Sequence, residues 1–121
     1  MHILLADDDE SIAMVARLGL RRSGFTVTIV DEGQAALKAA REMAFDALVL
    51  DWNMPDLDGI DVCRQLHAQP DWVRVPIVFL TGAGHAGAEQ EALAAGARGV
   101  IFKPFDPMRL GDQVQALIGN S

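Results

Sequence analysis

Ala47-Leu48-Val49-Leu50-Asp51-Trp52-Asn53-Met54-Pro55-Asp56-Leu57-Asp58-Gly59 is the stretch that decides the fold. Its first four residues form an apolar run too short for a helix and without clean polar alternation, as expected of a strand covered on both faces. A carboxylate follows at once. Turn residues from Asn53 to Gly59 then lead the chain into a helical segment at about 59–68.

The same unit recurs from end to end. Further short apolar runs lie at 3–6, 26–30, 76–80 and 99–102, and helical segments are predicted at about 11–23, 33–44, 86–95 and 107–118. Gly24, Gly96 and Gly119 stand where C-terminal glycine stops belong. Strand-helix units with short, right-handed connections predict an α/β, doubly wound parallel sheet with helices on both faces. Ligands of such sheets bind beyond the carboxyl ends of the strands, where the strand order reverses.

Composition agrees with one such domain. The 121 residues are 50% hydrophobic and 22% charged, and area scaling gives roughly 6,300 Å² folded against about 19,000 Å² unfolded. No apolar run approaches the ~18 residues that span a bilayer, so no membrane association is expected. Seventeen acidic against ten basic residues give a net charge of −7, the wrong sign for direct nucleic-acid binding. Cys63 is the single cysteine, and the start MHILLADDDE lacks a basic, apolar leader. A reducing, cytoplasmic setting is the expectation.

The residues that end the apolar runs are polar: Asp7 and Asp8, Asp31, Asp51, Thr81 and Lys103. Lys103 is one of only two lysines, and it stands directly between a strand and Pro104. If the strands are neighbours, Asp7, Asp8 and Asp51 form an acidic pocket with Lys103 at its wall. Two carboxylates about 5 Å apart repel by about 3 kcal/mol at an effective dielectric near 20. Oxygen ligands open to water favour a hard divalent ion, with magnesium (Mg2+) the best fit. An exposed carboxylate beside such an ion, here Asp51, can attack phosphorus to form an aspartyl phosphate. Magnesium, the Lys103 ammonium and the Thr81 hydroxyl would neutralise the phosphoryl oxygens. Asp9 and Glu10 read instead as a helix cap and first turn.

ADDDE at 6–10, VLDWNMPDLDG at 49–59, FLTG at 79–82 and FKPF at 102–105 together resemble the receiver domain of bacterial two-component response regulators, over essentially all of 1–121. The DWNMP stretch is similar to the single-domain chemotaxis members. The resemblance implies a flavodoxin-like (βα)5 fold with strand order 2-1-3-4-5. It also implies Asp51 as phosphoacceptor, Asp8 as direct magnesium ligand, Asp7 acting largely through water, and the Asn53 carbonyl as a further ligand. Thr81 would turn its hydroxyl to the phosphoryl group and Lys103 would pair with it, across a Lys103–Pro104 bond that is commonly cis in the family. The implied partner is a histidine kinase or histidine phosphotransfer protein. The implied function is a conformational signal to a downstream protein, with self-phosphorylation and autodephosphorylation but no external substrate. This chain departs from the family at Val100, where Tyr, Phe or His is usual, so an aromatic rotamer readout is not carried over.

Other readings are weaker. A small magnesium phosphatase also passes through an aspartyl phosphate, but generally needs a second acid where this chain has Asn53. A receiver fragment of a longer DNA-binding regulator remains an alternative. Gly82-Ala83-Gly84-His85-Ala86-Gly87 matches a dinucleotide fingerprint, yet the next strand ends in Lys103 instead of a ribose-binding acid. Asp56-Leu57-Asp58-Gly59 fails as a calcium loop because Met54 and Gln65 occupy ligand positions. His2, His67 and His85 lack metal spacing and are expected on the surface or in loops, while Cys63 is expected to pack. On the first helix Ile12, Val15, Ala16 and Gly19 share one face, leaving Met14 and Leu18 as a second apolar stripe that could dock a partner helix.

Overall fold

The computed structural model describes residues 1–70, 75–82 and 84–119. Five strands alternate with five helices: β1 His2–Ala6, α1 Glu10–Arg22, β2 Thr26–Val30, α2 Gly33–Glu42, β3 Ala47–Asp51, α3 Gly59–His67, β4 Ile77–Gly82, α4 Ala88–Ala94, β5 Gly99–Lys103 and α5 Pro107–Ile118. The strands form one parallel sheet in the order β2-β1-β3-β4-β5. This is the flavodoxin-like (βα)5 arrangement expected.

Alternation along the strands splits the interior into two cores. Leu4, Leu48, Leu50, Ile77 and Phe79 pack with α2, α3 and α4 on one face. Ile3, Leu5, Val49, Val78 and Leu80 pack with α1 and α5 on the other. Both sets are apolar because both faces are covered, which hides the two-residue period in the sequence. The edge strands differ from the expectation of full cover: Thr26 on β2 is exposed and Phe102 on β5 is 40% exposed, each strand having a neighbour on one side only.

Local chemistry sets the helix ends. Asp9 caps α1, its Oδ1 accepting from the Ile12 N–H at 3.1 Å. Asp106 caps α5 in the same way, accepting from Met108 N–H just before Pro107. α2 stops at Glu42, short of residue 44, because Met43 is already extended. α4 starts at Ala88, later than residue 86, because Gly87 adopts a φ of +76°. Gly24 and Gly96 are left-handed stops at +92° and +102°. Gly119 ends α5 as expected, but as a C-cap with a φ of −81°.

The buried stripe of α1 is also rotated from the one expected. Ala13, Ala16, Gly19 and Leu20 are buried, whereas Val15 is 40% exposed and joins Met14 and Leu18 on the outside. Packing on α5 decides this: a Cβ on Gly19 would lie 2.5 Å from the Pro107 carbonyl oxygen. Cys63 is fully buried, as its spacing implied, and its thiol donates to the Ala95 carbonyl at 3.4 Å.

Candidate functional site

Parallel register brings the polar strand ends to one edge. Ala6 pairs with Leu50, Asp51 with Leu80, and Thr81 with Phe102. Asp7 and Asp8, Asp51, Thr81 and Lys103 therefore follow one another across the carboxyl end of β1, β3, β4 and β5. β1 lies between β2 and β3, so the connections leaving β1 and β2 run in opposite directions along the sheet. The site occupies that switch point.

Asp7 is 1% exposed and held on both oxygens. Its Oδ1 accepts from the Asp9 N–H at 2.9 Å and its Oδ2 from Lys103 Nζ at 3.3 Å. Lys103 Nζ also donates to Asp51 Oδ1 at 3.0 Å. Asp8 is exposed, and carboxylate oxygens of Asp7, Asp8 and Asp51 lie within 4.8 Å of one another. The Lys103–Pro104 peptide is cis. Asp31 directly follows β2 and is exposed beside the open cleft of about 580 Å³ that adjoins Asp7 and Asp8.

Electrostatics follow from this crowding. The Asp51 carboxyl is raised from 3.8 to about 6: burial is the largest cause, the Lys103 hydrogen bond opposes it, and the charge of Asp7 adds to it. Burial favours the neutral form of Lys103, but its hydrogen bond to Asp51 and the charges of Asp7 and Asp51 hold it above its usual value. One ammonium thus serves two carboxylates of a cluster of three. The oxygen-only donor set and the remaining negative charge fit a hard divalent cation such as magnesium.

Thr81 is 2% exposed, and its Oγ1 lies 3.0 Å from His85 Nδ1. Asn53 is exposed on the loop two positions past Asp51. Trp52 is buried, its ring 4.8 Å from that of Phe79 and 4.5 Å from that of His85.

Sequence reading missed three supporting residues. His85 was expected only as a surface or loop histidine; it is half-buried against Thr81 and Trp52, and its spacing of four from Thr81 was the available signal. Gly59 passes so close to β3 that a Cβ there would collide with the Asp51 carbonyl oxygen, while its N–H donates to the Trp52 carbonyl at 2.8 Å. Asp56 reaches across to α2, accepting from Gly33 N–H at 2.8 Å and Gln34 N–H at 2.9 Å. Those bonds, that from Gln34 first, hold its carboxyl below the ordinary range. Nothing local in the sequence pairs Asp56 with a helix 23 residues away.

The other histidines are half-buried as well. His2 Nε2 lies 2.6 Å from Thr28 Oγ1, and a Cβ on Gly96 would come within 2.8 Å of the His67 ring. The candidate dinucleotide loop does not open a helix at once, since turn residues separate β4 from α4.

Comparison with known proteins agrees with this geometry. Residues 3–115 match the response regulator receiver domain. The chain is 34% identical over 116 residues to the phosphate regulon transcriptional regulatory protein PhoB of Rhizobium meliloti, covering 96% of this chain and 51% of that protein. It is 40% identical over 115 residues to the DNA-binding response regulator MtrA of Mycobacterium tuberculosis, covering 95% and 49%. The chain thus spans about half the length of the curated relatives it matches. Among solved structures, the chemotaxis response regulator CheY4 of Vibrio cholerae superposes with a TM-score of 0.88 at 31% identity, covering 96% of this chain and 97% of that one. The receiver domain of the sensor histidine kinase PA1611 of Pseudomonas aeruginosa, which has a magnesium ion coordinated in its active-site cleft, gives 0.87 at 34% identity, covering 98% of both. With the fold, the acidic cluster at the switch point and these matches in agreement, the chain belongs to the receiver domains of two-component response regulators.

Proposed function

We propose that residues 1–121 act as one receiver unit in which Asp51 takes a phosphoryl group from a phosphohistidine on a histidine kinase or phosphotransfer protein. The observation that carries this is Lys103 Nζ bridging Asp51 and Asp7 within a cluster of three carboxylates. An Asp51 oxygen forms the O–P bond as the P–N bond breaks, and the imidazole nitrogen of the donor leaves with the electron pair and takes up a proton. Lys103 turns its ammonium from the carboxylates to the incoming phosphoryl oxygens. Thr81 donates its hydroxyl proton to another of them. These contacts exist in one conformation only, so phosphorylation shifts the population toward it.

Asp7, Asp8, Asp51 and the Asn53 carbonyl would hold magnesium. The bound ion supplies positive charge against the phosphoryl oxygens. Beside this cluster an apolar groove of about 400 Å³ runs along Ile12, Val15, Pro104 and Phe105. Together with exposed Met14 and Leu18 it supports docking of a helix that carries the donor histidine. Among the described residues no helix is long and apolar enough to cross a membrane, and the reaction suits a cytoplasmic setting. Receiver domains are signalling domains, so we read the aspartyl phosphate as a signal, with self-phosphorylation and autodephosphorylation as the accompanying chemistry, in preference to a phosphatase intermediate.

The test is labelling with radioactive acetyl phosphate. Magnesium-dependent, single-site labelling that disappears in Asp51→Asn and with excess chelator is expected. Equal labelling of Asp51→Asn would overturn the assignment. A second reading is favoured by the match to one half of DNA-binding regulators: the unit works as the receiver of a longer regulator whose output contacts DNA. An antibody against this domain then detects a cellular protein about twice its length.

A further inference from the structure

Thr81 Oγ1 and His85 Nδ1 are 3.0 Å apart. The imidazole of His85 also stands edge-on to Trp52, with centroids 4.5 Å apart and planes at 75°. Trp52 is also held by its tilted ring contact with Phe79 and by its backbone N–H donating to the Leu80 carbonyl at 3.0 Å. A continuous series of contacts therefore runs from the hydroxyl at the end of β4, through one imidazole, to the indole next to Asp51.

Hydrogen-bond capacity makes this series two-state. A hydroxyl has one proton and a fixed rotamer set, and with the imidazole protonated on Nε2 it is His85 Nδ1 that accepts that proton. Thr81 cannot hold its present geometry toward His85 while turning to an anionic oxygen carried by Asp51. His85 is also tied to the turn before α4: its N–H donates to the Gly82 carbonyl at 3.1 Å and its carbonyl accepts from Ala88 N–H at 3.3 Å. Displacing the ring thus acts on the segment that enters α4. The aliphatic Val100 packs against the core on the α2, α3 and α4 face and offers no ring for such a role.

We propose that His85 is a positioning residue that holds the Thr81 hydroxyl in the unphosphorylated state. Released when that hydroxyl engages a tetrahedral anion on Asp51, it passes the change to Trp52 and the turn before α4. This rests on Asp51 as the phosphoacceptor.

The probe is beryllofluoride with magnesium, in a Trp72→Phe background so that Trp52 is the sole emitter. His85→Ala has no resting bond to give up, so calorimetry should show beryllofluoride binding about twofold to tenfold tighter, the span of one hydrogen bond. The beryllofluoride-induced change in Trp52 emission should fall by at least half. His85→Asn, which restores a polar partner without a ring, should return affinity toward the parent while leaving the emission response small. A purely structural role would weaken binding in both variants, and that result overturns the proposal, as does parental affinity and emission in His85→Ala. Should His85→Ala fail to fold, His85→Asn decides on emission alone: a parental response overturns the proposal and a diminished one supports it. Failure of the parent to be labelled by acetyl phosphate sinks the Asp51 reading and the proposal with it, whereas a labelled parent with indifferent His85 variants sinks the proposal alone.

Discussion

Lys103 and Asp51 are 52 positions apart in the chain and 3.0 Å apart in space. Their contact joins the edge strand β5 to the central strand β3 across the end of β4. The same ammonium reaches Asp7, the more deeply buried acid, so its removal leaves two carboxylates facing each other without a counter-charge.

Replacing Lys103 with Met should therefore destabilise the metal-free protein. Breaking a fully buried pair costs about 3–5 kcal/mol, but the Lys103 side chain is 20% exposed and water shares the load, so about 1–3 kcal/mol is expected. Magnesium should recover part of the loss, since the freed carboxylates gain a divalent cation. Urea denaturation with and without magnesium chloride measures both effects. Unchanged stability would mean that Lys103 is not the counter-charge.

Asp51 gives a pH signature of definite sign. Its folded value of about 6 lies above the ordinary 3.8, so the folded state binds this proton more tightly than the unfolded chain. The stability it contributes is complete below 3.8 and is lost as pH rises through about 6. Asp56, held low, acts in the opposite sense, its contribution being lost as pH falls. The Asp51→Asn variant isolates the first group. In chelator, its melting temperature should exceed the parent's by a margin that grows between pH 4 and pH 7. A margin independent of pH would contradict the raised carboxyl.

Gly59→Ala should damage site and fold together. The added methyl meets the Asp51 carbonyl oxygen and comes within 3.1 Å of the Phe79 ring, and backbone cannot yield cheaply there. Overpacking of this kind costs about 1–3 kcal/mol. Thermal unfolding reads the cost, and slower acetyl-phosphate labelling of the still-folded variant reads the displacement of Asp51. Normal labelling would show that the strand end tolerates the shift.

Cys63 should be inert while the protein is folded. Burial pushes its thiol up to about 11, and the Arg64 charge offsets this only in part. An aromatic disulfide reagent at pH 8 should react only after denaturant is added, with an increase in rate of more than about a hundredfold. Fast reaction of the native protein would place the thiol at the surface.

Much of the site was readable because the signal is one of adjacency. A carboxylate directly after Ala47 to Leu50, paired acids after β1 and a rare lysine at the end of β5 are local facts, and a parallel sheet puts all strand ends on one edge. Local punctuation likewise located the start of α5 at Pro107 and the stop at Gly24.

By itself the sequence determined the repeating units, the doubly wound class and the acids, hydroxyl and lysine of the site, because apolar runs and strand-end residues are encoded side by side. The strand order came through resemblance, and the sheet pairing realises it. Only the tertiary structure decided which face of α1 is buried, that Asp56 caps α2, that Gly59 lies under Asp51, and that His85 stands between Thr81 and Trp52. Each of these depends on how segments pack across space, and packing is set by the shapes of both partners, which no single stretch of chain carries.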